Sequence, residues 1–137
     1  MTALGVPTSQ GDRRTVFSPS TWEPRLGYSR GVRVGNQIFI AGTAATDGED
    51  RIRGADAYSQ TEFIIEKIAT ALRDLGAELE HVVSTVTHLA DLAYLDDYAR
   101  AHQNYFGRIR PVNTTVLAAL VRPELLVEIT AIAVVPG

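Results

Sequence analysis

The stretch from about Leu126 to Val134 constrains the fold more than any other part of the chain. Read as a strand, it puts Val127, Ile129, Ala131 and Ala133 on one side and Glu128, Thr130 and Ile132 on the other, because successive side chains of an extended chain point to opposite faces. The first side is wholly apolar and requires a dry cover. Two helical segments can supply it. From about Asp56 to Leu75, the residues Thr61, Ile65, Ile68, Leu72 and Leu75 recur at spacings of 4, 3, 4 and 3 and share one face. Glu62, Glu66, Lys67, Arg73 and Asp74 make that helix's wet side, and Gly76 suits its C-terminal cap. From about Leu95 to Phe106, the residues Leu95, Tyr98, His102 and Tyr105 recur at 3, 4 and 3, and Gly107 ends the segment.

Strand signals fill the remainder. Thr15 to Phe17 reads as a short first strand, broken by Ser18-Pro19-Ser20 and Glu23-Pro24. Ser29 to Val34 and Gln37 to Ala41 read as strands joined through Gly35-Asn36. Gly42 to Ala55 reads as loop. Val82 to Ala90 is β-branched, and Val112 to Ala118 follows the breaker Pro111. The order is β-β-β-α-β-α-β-β: an α+β class with a mixed sheet and two helices on one face. With 137 residues, 45% of them apolar, the chain supports one core and not two. Residues 1–14 are polar and aperiodic and read as a flexible tail; 15–137 read as a single domain.

Composition removes several function classes. The 13 basic and 16 acidic residues are interspersed, for a net charge of −3. No basic block points to nucleic acid or to an anionic membrane. The absence of cysteine removes disulfides, thiolate nucleophiles and thiolate metal sites together. No apolar run reaches the roughly 20 residues of a membrane span, and no secretory signal opens the chain. The expected location is the cytoplasm.

Two helices cover only one side of such a sheet. The other side carries Glu128, Thr130 and Ile132, and in the preceding strand one face has Val112, Thr114 and Val116 and the other Asn113, Thr115 and Leu117. Such faces are too apolar for free solvation and too polar for a dry core. A second copy of the chain is the cheapest partner, and a pocket where Asn113, Thr115, Glu128 and Thr130 meet would mix apolar walls with a few polar groups. The alternative is that the threonines are ordinary strand residues with local hydrogen bonds.

Several segments then resemble one family in order and spacing. They are Gly27-Tyr28-Ser29-Arg30, Val34-Gly35-Asn36-Gln37-Ile38-Phe39-Ile40-Ala41-Gly42, Ala57-Tyr58-Ser59-Gln60-Thr61, Tyr105-Phe106-Gly107 with Arg110-Pro111, and Leu126 to Val134. Together, over about Phe17 to Val134, they are similar to the RidA (YjgF-like) enamine/imine deaminases. The resemblance implies a chorismate-mutase-like fold and a homotrimer whose sheets form an inner barrel, with sites between subunits. It implies hydrolysis of reactive enamines and imines to ketones and ammonia, without metal or cofactor, and it matches Tyr28 to the family's pocket tyrosine.

Two positions depart from that pattern. The family's carboxylate-gripping arginine falls at Asn113, which offers one neutral NH₂ group in place of a charged fork. The family's acid/base glutamate falls at Thr130, whose hydroxyl takes no proton near neutral pH. Glu128, two residues earlier on the same face, is the replacement candidate. Arg30 follows Tyr28 by two residues and could restore the guanidinium from another direction, or pair with a surface carboxylate. Among the histidines, no pair has metal-ligand spacing. His102 reads as a satisfied core residue, His81 as exposed, and His88, mid-strand, as a candidate acid/base. The candidate set is thus Glu128, Thr130 and His88 for chemistry, and Tyr28, Arg30, Asn113 and Thr115 for substrate. The two readings are an imine/enamine hydrolase with an altered substrate, and a binding or regulatory trimer that keeps only fold and pocket.

Overall fold

The computed structural model describes residues 12–137, and the expected tail up to residue 11 lies outside them. Arg13 and Arg14, also expected in the tail, belong instead to a strand, β1 (Arg13–Val16). It pairs antiparallel with β2 (Gly31–Val34), and Arg14 Nη2 reaches the carbonyl of Leu75 at 3.4 Å. Backbone pairing makes this edge strand; its first three side chains are exposed, so it carries no apolar alternation to read in the sequence.

A second difference is a five-residue helix, α1 (Trp22–Leu26), where only breakers were expected. Pro24 sits in its first turn, where a missing N–H is harmless. Gly27 closes it at φ 81° and donates to the Glu23 carbonyl. The other elements follow the expected order. They are β3 (Gln37–Ala44), α2 (Ala57–Asp74), β4 (Val82–Leu89), α3 (Leu95–Phe106), β5 (Val112–Leu117) and β6 (Val127–Val134). Asp56 caps α2 by accepting from the Ser59 amide at 2.8 Å.

The six strands form one sheet in the order β1-β2-β3-β6-β4-β5. Only β4 and β5 are parallel, which their connection through α3 requires. β6 lies between β3 and β4, and its burial alternates strictly: Val127, Ile129, Ala131 and Ala133 are at most 1% exposed, their neighbours half-exposed. The buried side packs against Ile64, Ile65, Ile68 and Leu72 of α2, with Tyr98 and Phe106 of α3 closing the core. An irregularity in β3 between Ile40 and Thr43 puts both residues on the covered side and extends the strand past its expected end to Ala44.

Neither α2 nor α3 packs on the opposite side. The register aligns Phe39, Ile132 and Ser84 in one row, Thr130, Val86 and Thr114 in the next, and Ala44, Glu128, His88 and Val116 in a third. Phe39, Val112 and Val116 are 42%, 70% and 43% exposed there. Truncating Ile65 to alanine should therefore cost about 2–5 kcal/mol in urea unfolding at fixed protein concentration. Leu26→Ala, at a residue 67% exposed, should stay within about 0.5 kcal/mol.

Candidate functional site

The sequence candidates separate into two groups on opposite faces of the sheet. β4 and β5 run in register with Thr85 beside Asn113 and Thr87 beside Thr115. Thr85 and Thr87 also stand beside Ala131 and Ile129 of β6, on the covered side. Asn113 and Thr115 therefore face the helices, which corrects the expectation that they share a face with Glu128 and Thr130. Both faces of β5 are mixed in character, so alternation within β5 does not indicate which of them is covered; the parallel register decides it.

On the covered side, a cleft of 590 Å³ opens between α3 and β5, lined by Tyr98, His102, Arg110, Asn113 and Thr115 among others. Its floor is a hydrogen-bond network. Asn113 Nδ2 donates to Thr85 Oγ1 at 3.0 Å and to the Tyr98 hydroxyl at 3.1 Å. Asn113 Oδ1 accepts from Thr115 Oγ1 at 2.8 Å. Thr87 Oγ1 meets the Tyr98 hydroxyl at 2.7 Å, and Thr85 Oγ1 meets His102 Nε2 at 3.0 Å. The Asn113 amide is thus engaged within the chain, with its NH₂ group turned to protein partners. His102 is partnered, as its helix position suggested, and its ring lies tilted between those of Tyr98 and Phe106, with centroids at 5.4 and 4.7 Å. Burial lowers its pKa from the usual 6.5 and keeps the imidazole neutral.

Glu128, on the other side, borders a smaller cavity of 150 Å³ that Tyr28, Arg30, Gly42 and, from α2, Lys67 also line. The Glu128 carboxyl lies against Gly42, where an added Cβ would come within 3.1 Å of its Cδ. No hydrogen bond or ion pair engages this carboxylate among the described residues. His88 stands directly across the strand pair from Glu128, with Nδ1 buried and without a hydrogen-bond partner among the described residues. Thr130 is one pleat further along the same face.

Arg30 is 6% exposed and its guanidinium is turned inward. Nε pairs with Glu23, itself 1% exposed, at 3.1 Å, and Nη1 donates to the Gly42 carbonyl at 2.9 Å and to Thr43 Oγ1 at 3.1 Å. Glu23 also accepts from the Ser18 amide at 2.8 Å and from the Ser18 hydroxyl. The expectation that Arg30 offers a free fork to a ligand is corrected: it braces α1 against β3, and Nη2 reaches the Tyr28 hydroxyl at 3.4 Å. Its partner is a buried carboxylate and not a surface one.

Lys67 was read only as part of the wet side of α2. Its ammonium donates to the carbonyls of Ala44 and Thr46 at 2.7 and 2.9 Å, which ties α2 to the end of β3. Burial, with the Arg30 charge nearby, lowers its pKa to about 8. The sequence reading missed the roles of Glu23, Lys67, Tyr98, Thr85 and Thr87. Of these, Thr85 and Thr87 alternate within β4, a pattern that could have marked them as a polar row facing the helices. Among the described residues, no cluster of three or more His, Asp or Glu is arranged to hold a metal.

Comparison with known proteins gives one consistent answer. Residues 19–135 match the family described as Endoribonuclease L-PSP. A RutC family protein of Pyrococcus abyssi is 32% identical over 122 residues, spanning 88% of this chain and 96% of that protein. An uncharacterised protein of Streptomyces coelicolor is 33% identical over 123 residues, covering 89% and 91%. Among solved structures, a Mycobacterium tuberculosis member of the YjgF/YER057c/UK114 family superposes with TM-score 0.82 at 39% identity, covering 90% of this chain and 99% of the other. A YjgF-family protein of Neisseria meningitidis gives 0.78 at 27% identity, covering 93% and 98%.

Two outcomes follow from the geometry. Arg30→Met should lower stability by about 3–5 kcal/mol, because it strands a buried carboxylate; adding Glu23→Leu should recover much of that loss. A ligand-binding Arg30 would show neither effect in the absence of ligand. The second concerns His102, whose folded pKa lies below its unfolded value. Stability is then fully present above about pH 6.5 and declines as the pH falls toward the folded pKa, since the unfolded chain binds the proton more readily. His102→Gln should flatten the dependence of the urea midpoint on pH in that window.

Proposed function

The chain belongs to the Endoribonuclease L-PSP family, with RutC and YjgF proteins as relatives, and from that premise we propose a hydrolase of reactive enamines or imines working at sites between the subunits of a homotrimer. One observation carries the reading. Glu128, on the uncovered side of the sheet, shares a cavity with Tyr28, whereas Thr115 and the Asn113 network line a separate cleft on the covered side. A single pocket that uses both groups needs a second copy of the chain, with the uncovered side of one subunit set against the α3–β5 edge of the next. The exposed Phe39, Val112 and Val116 give that contact its apolar area.

In the proposed reaction, water adds to the carbon that carries nitrogen, and the tetrahedral adduct loses ammonia to leave a carbonyl. Glu128 takes one proton from the attacking water and passes it to the nitrogen, then takes the adduct's hydroxyl proton and passes it on as the C–N bond breaks, so both protons of the water leave in ammonia. Its carboxylate suits the task because none of the described residues ties up its oxygens, and the missing side chain of Gly42 lets the carboxyl lie directly against the β3 backbone. His88, across the strand pair from Glu128, is the second acid/base candidate on this face. Thr130 can orient the water but cannot deprotonate it. Tyr28, whose hydroxyl Arg30 steadies, faces the same cavity and offers a donor to the substrate.

The family description names RNA cleavage. A net charge of −3 and the absence of a basic stripe give an RNA backbone little counterion-release affinity. The second reading, a trimer that binds a metabolite without turnover, draws on Asn113 and Thr130. The first is a neutral amide bonded inward and the second a hydroxyl that cannot act as base.

Release of ammonia from 2-aminoacrylate or 2-iminobutanoate, generated in situ, separates the readings. Acceleration over buffer that falls about 10²–10⁴-fold in Glu128→Gln supports the hydrolase. Saturable binding with no turnover supports the second reading. Sedimentation of a stable, well-folded monomer at micromolar concentration removes the shared pocket and both readings with it.

A further inference from the structure

Arg110 combines three features found together nowhere else among the described residues. It is one of two non-glycine residues with positive φ, at 56°. It lines the cleft between α3 and β5. Its guanidinium takes part in no ion pair and no side-chain hydrogen bond among the described residues.

The backbone explains the first feature. The Arg110 amide donates to the Phe106 carbonyl at 2.8 Å as α3 ends, and Pro111 follows. A residue before proline is driven out of the right-handed helical region, and here the chain turns left-handed. Glycine or asparagine would adopt that conformation at lower cost, so an arginine there is a strained choice of the kind that gathers at binding sites. The lining of the cleft supplies the reason. Tyr98, Gln103, Asn113 and Thr115 are neutral, and burial keeps His102 uncharged. Among the described residues Arg110 is the only charged one in the wall, and no carboxylate lines it.

We propose that Arg110 is the anion anchor of this cleft, binding the carboxylate of a small monoanionic substrate at its mouth, and so does the work that Asn113, bonded into the floor, cannot do. The inference rests on the reading of the cleft as part of the substrate site. A guanidinium presents a planar fork that matches a carboxylate with two parallel hydrogen bonds. A single cation matches a monoanion and leaves a phosphate dianion half-neutralised. The substrate's uncharged end then lies toward the Tyr98 and Thr115 hydroxyls on the floor.

The test is a titration followed by NMR, with 2-oxobutanoate, neutral 2-butanone and inorganic phosphate as probes. The wild-type protein should bind 2-oxobutanoate saturably and more tightly than the other two. Arg110→Gln should weaken that binding by about ten- to a hundredfold, and Arg110→Lys by less. Arg110→Gly suits the backbone, so it should fold at least as stably and still lose binding, which separates the guanidinium from any structural effect. Arg108→Gln, two residues away and outside the cleft wall, should change nothing. Unchanged affinity in Arg110→Gln, phosphate binding more tightly than 2-oxobutanoate, or no saturable binding to wild type overturns the proposal. Ammonia release from 2-iminobutanoate keeps the two claims apart. Turnover with the same kcat/KM in Arg110→Gln removes the anchor and leaves the hydrolase. Arg110-dependent binding without turnover removes the hydrolase and leaves the anchor.

Discussion

β6 sits between β3 and β4 with backbone partners along both edges, so its alternate side chains must satisfy two different surroundings at once. Val127, Ile129, Ala131 and Ala133 meet the helices and are almost wholly dry. Their burial holds α2 on the sheet, and α2 in turn holds the end of β3 through Lys67. The same alternation delivers Glu128 and Thr130 to the other side, where Glu128 borders a cavity with Tyr28 and Lys67. The core and the candidate acid/base are therefore consequences of one strand's two faces.

Around this strand, polar groups are divided between bracing and availability. The Glu23–Arg30 pair is buried and bonded on nearly every side, and it fixes the short α1 segment that carries the chain to Tyr28. The network of Asn113, Thr85, Thr87 and Tyr98 does the same for the floor of the cleft, where an unbonded donor would be expensive. Glu128, His88 Nδ1 and the Arg110 guanidinium stand apart from this satisfied frame. Groups left without partners among the described residues are the ones able to take a partner from another molecule.

The periodic elements were legible in advance. α3 spans Leu95 to Phe106 as its spacing required, and α2 differs from the expected span only at its capping residues. β6 presents the anticipated faces. What escaped had no period. The first strand was expected at Thr15 to Phe17 and lies at Arg13–Val16, an exposed edge held by its backbone, and α1, not anticipated, is five residues around a proline. The family relation was legible for a different reason: short segments that are weak singly keep a fixed order and spacing, and the match over residues 19–135 covers the same ground.

By itself the sequence determined which residues alternate together and which positions an apolar cover must reach. It left open the face of β5, because Val112, Thr114 and Val116 are no more distinctive than Asn113, Thr115 and Leu117. The tertiary structure decided that question by pairing β4 and β5 in parallel with Thr85 beside Asn113. It decided also that Arg30 turns inward to Glu23 while Arg110 lines an otherwise neutral cleft. The physical reason is common to both. Alternation is a property of one strand, whereas the side that is buried, and the charge that finds a partner, depend on elements distant in the chain.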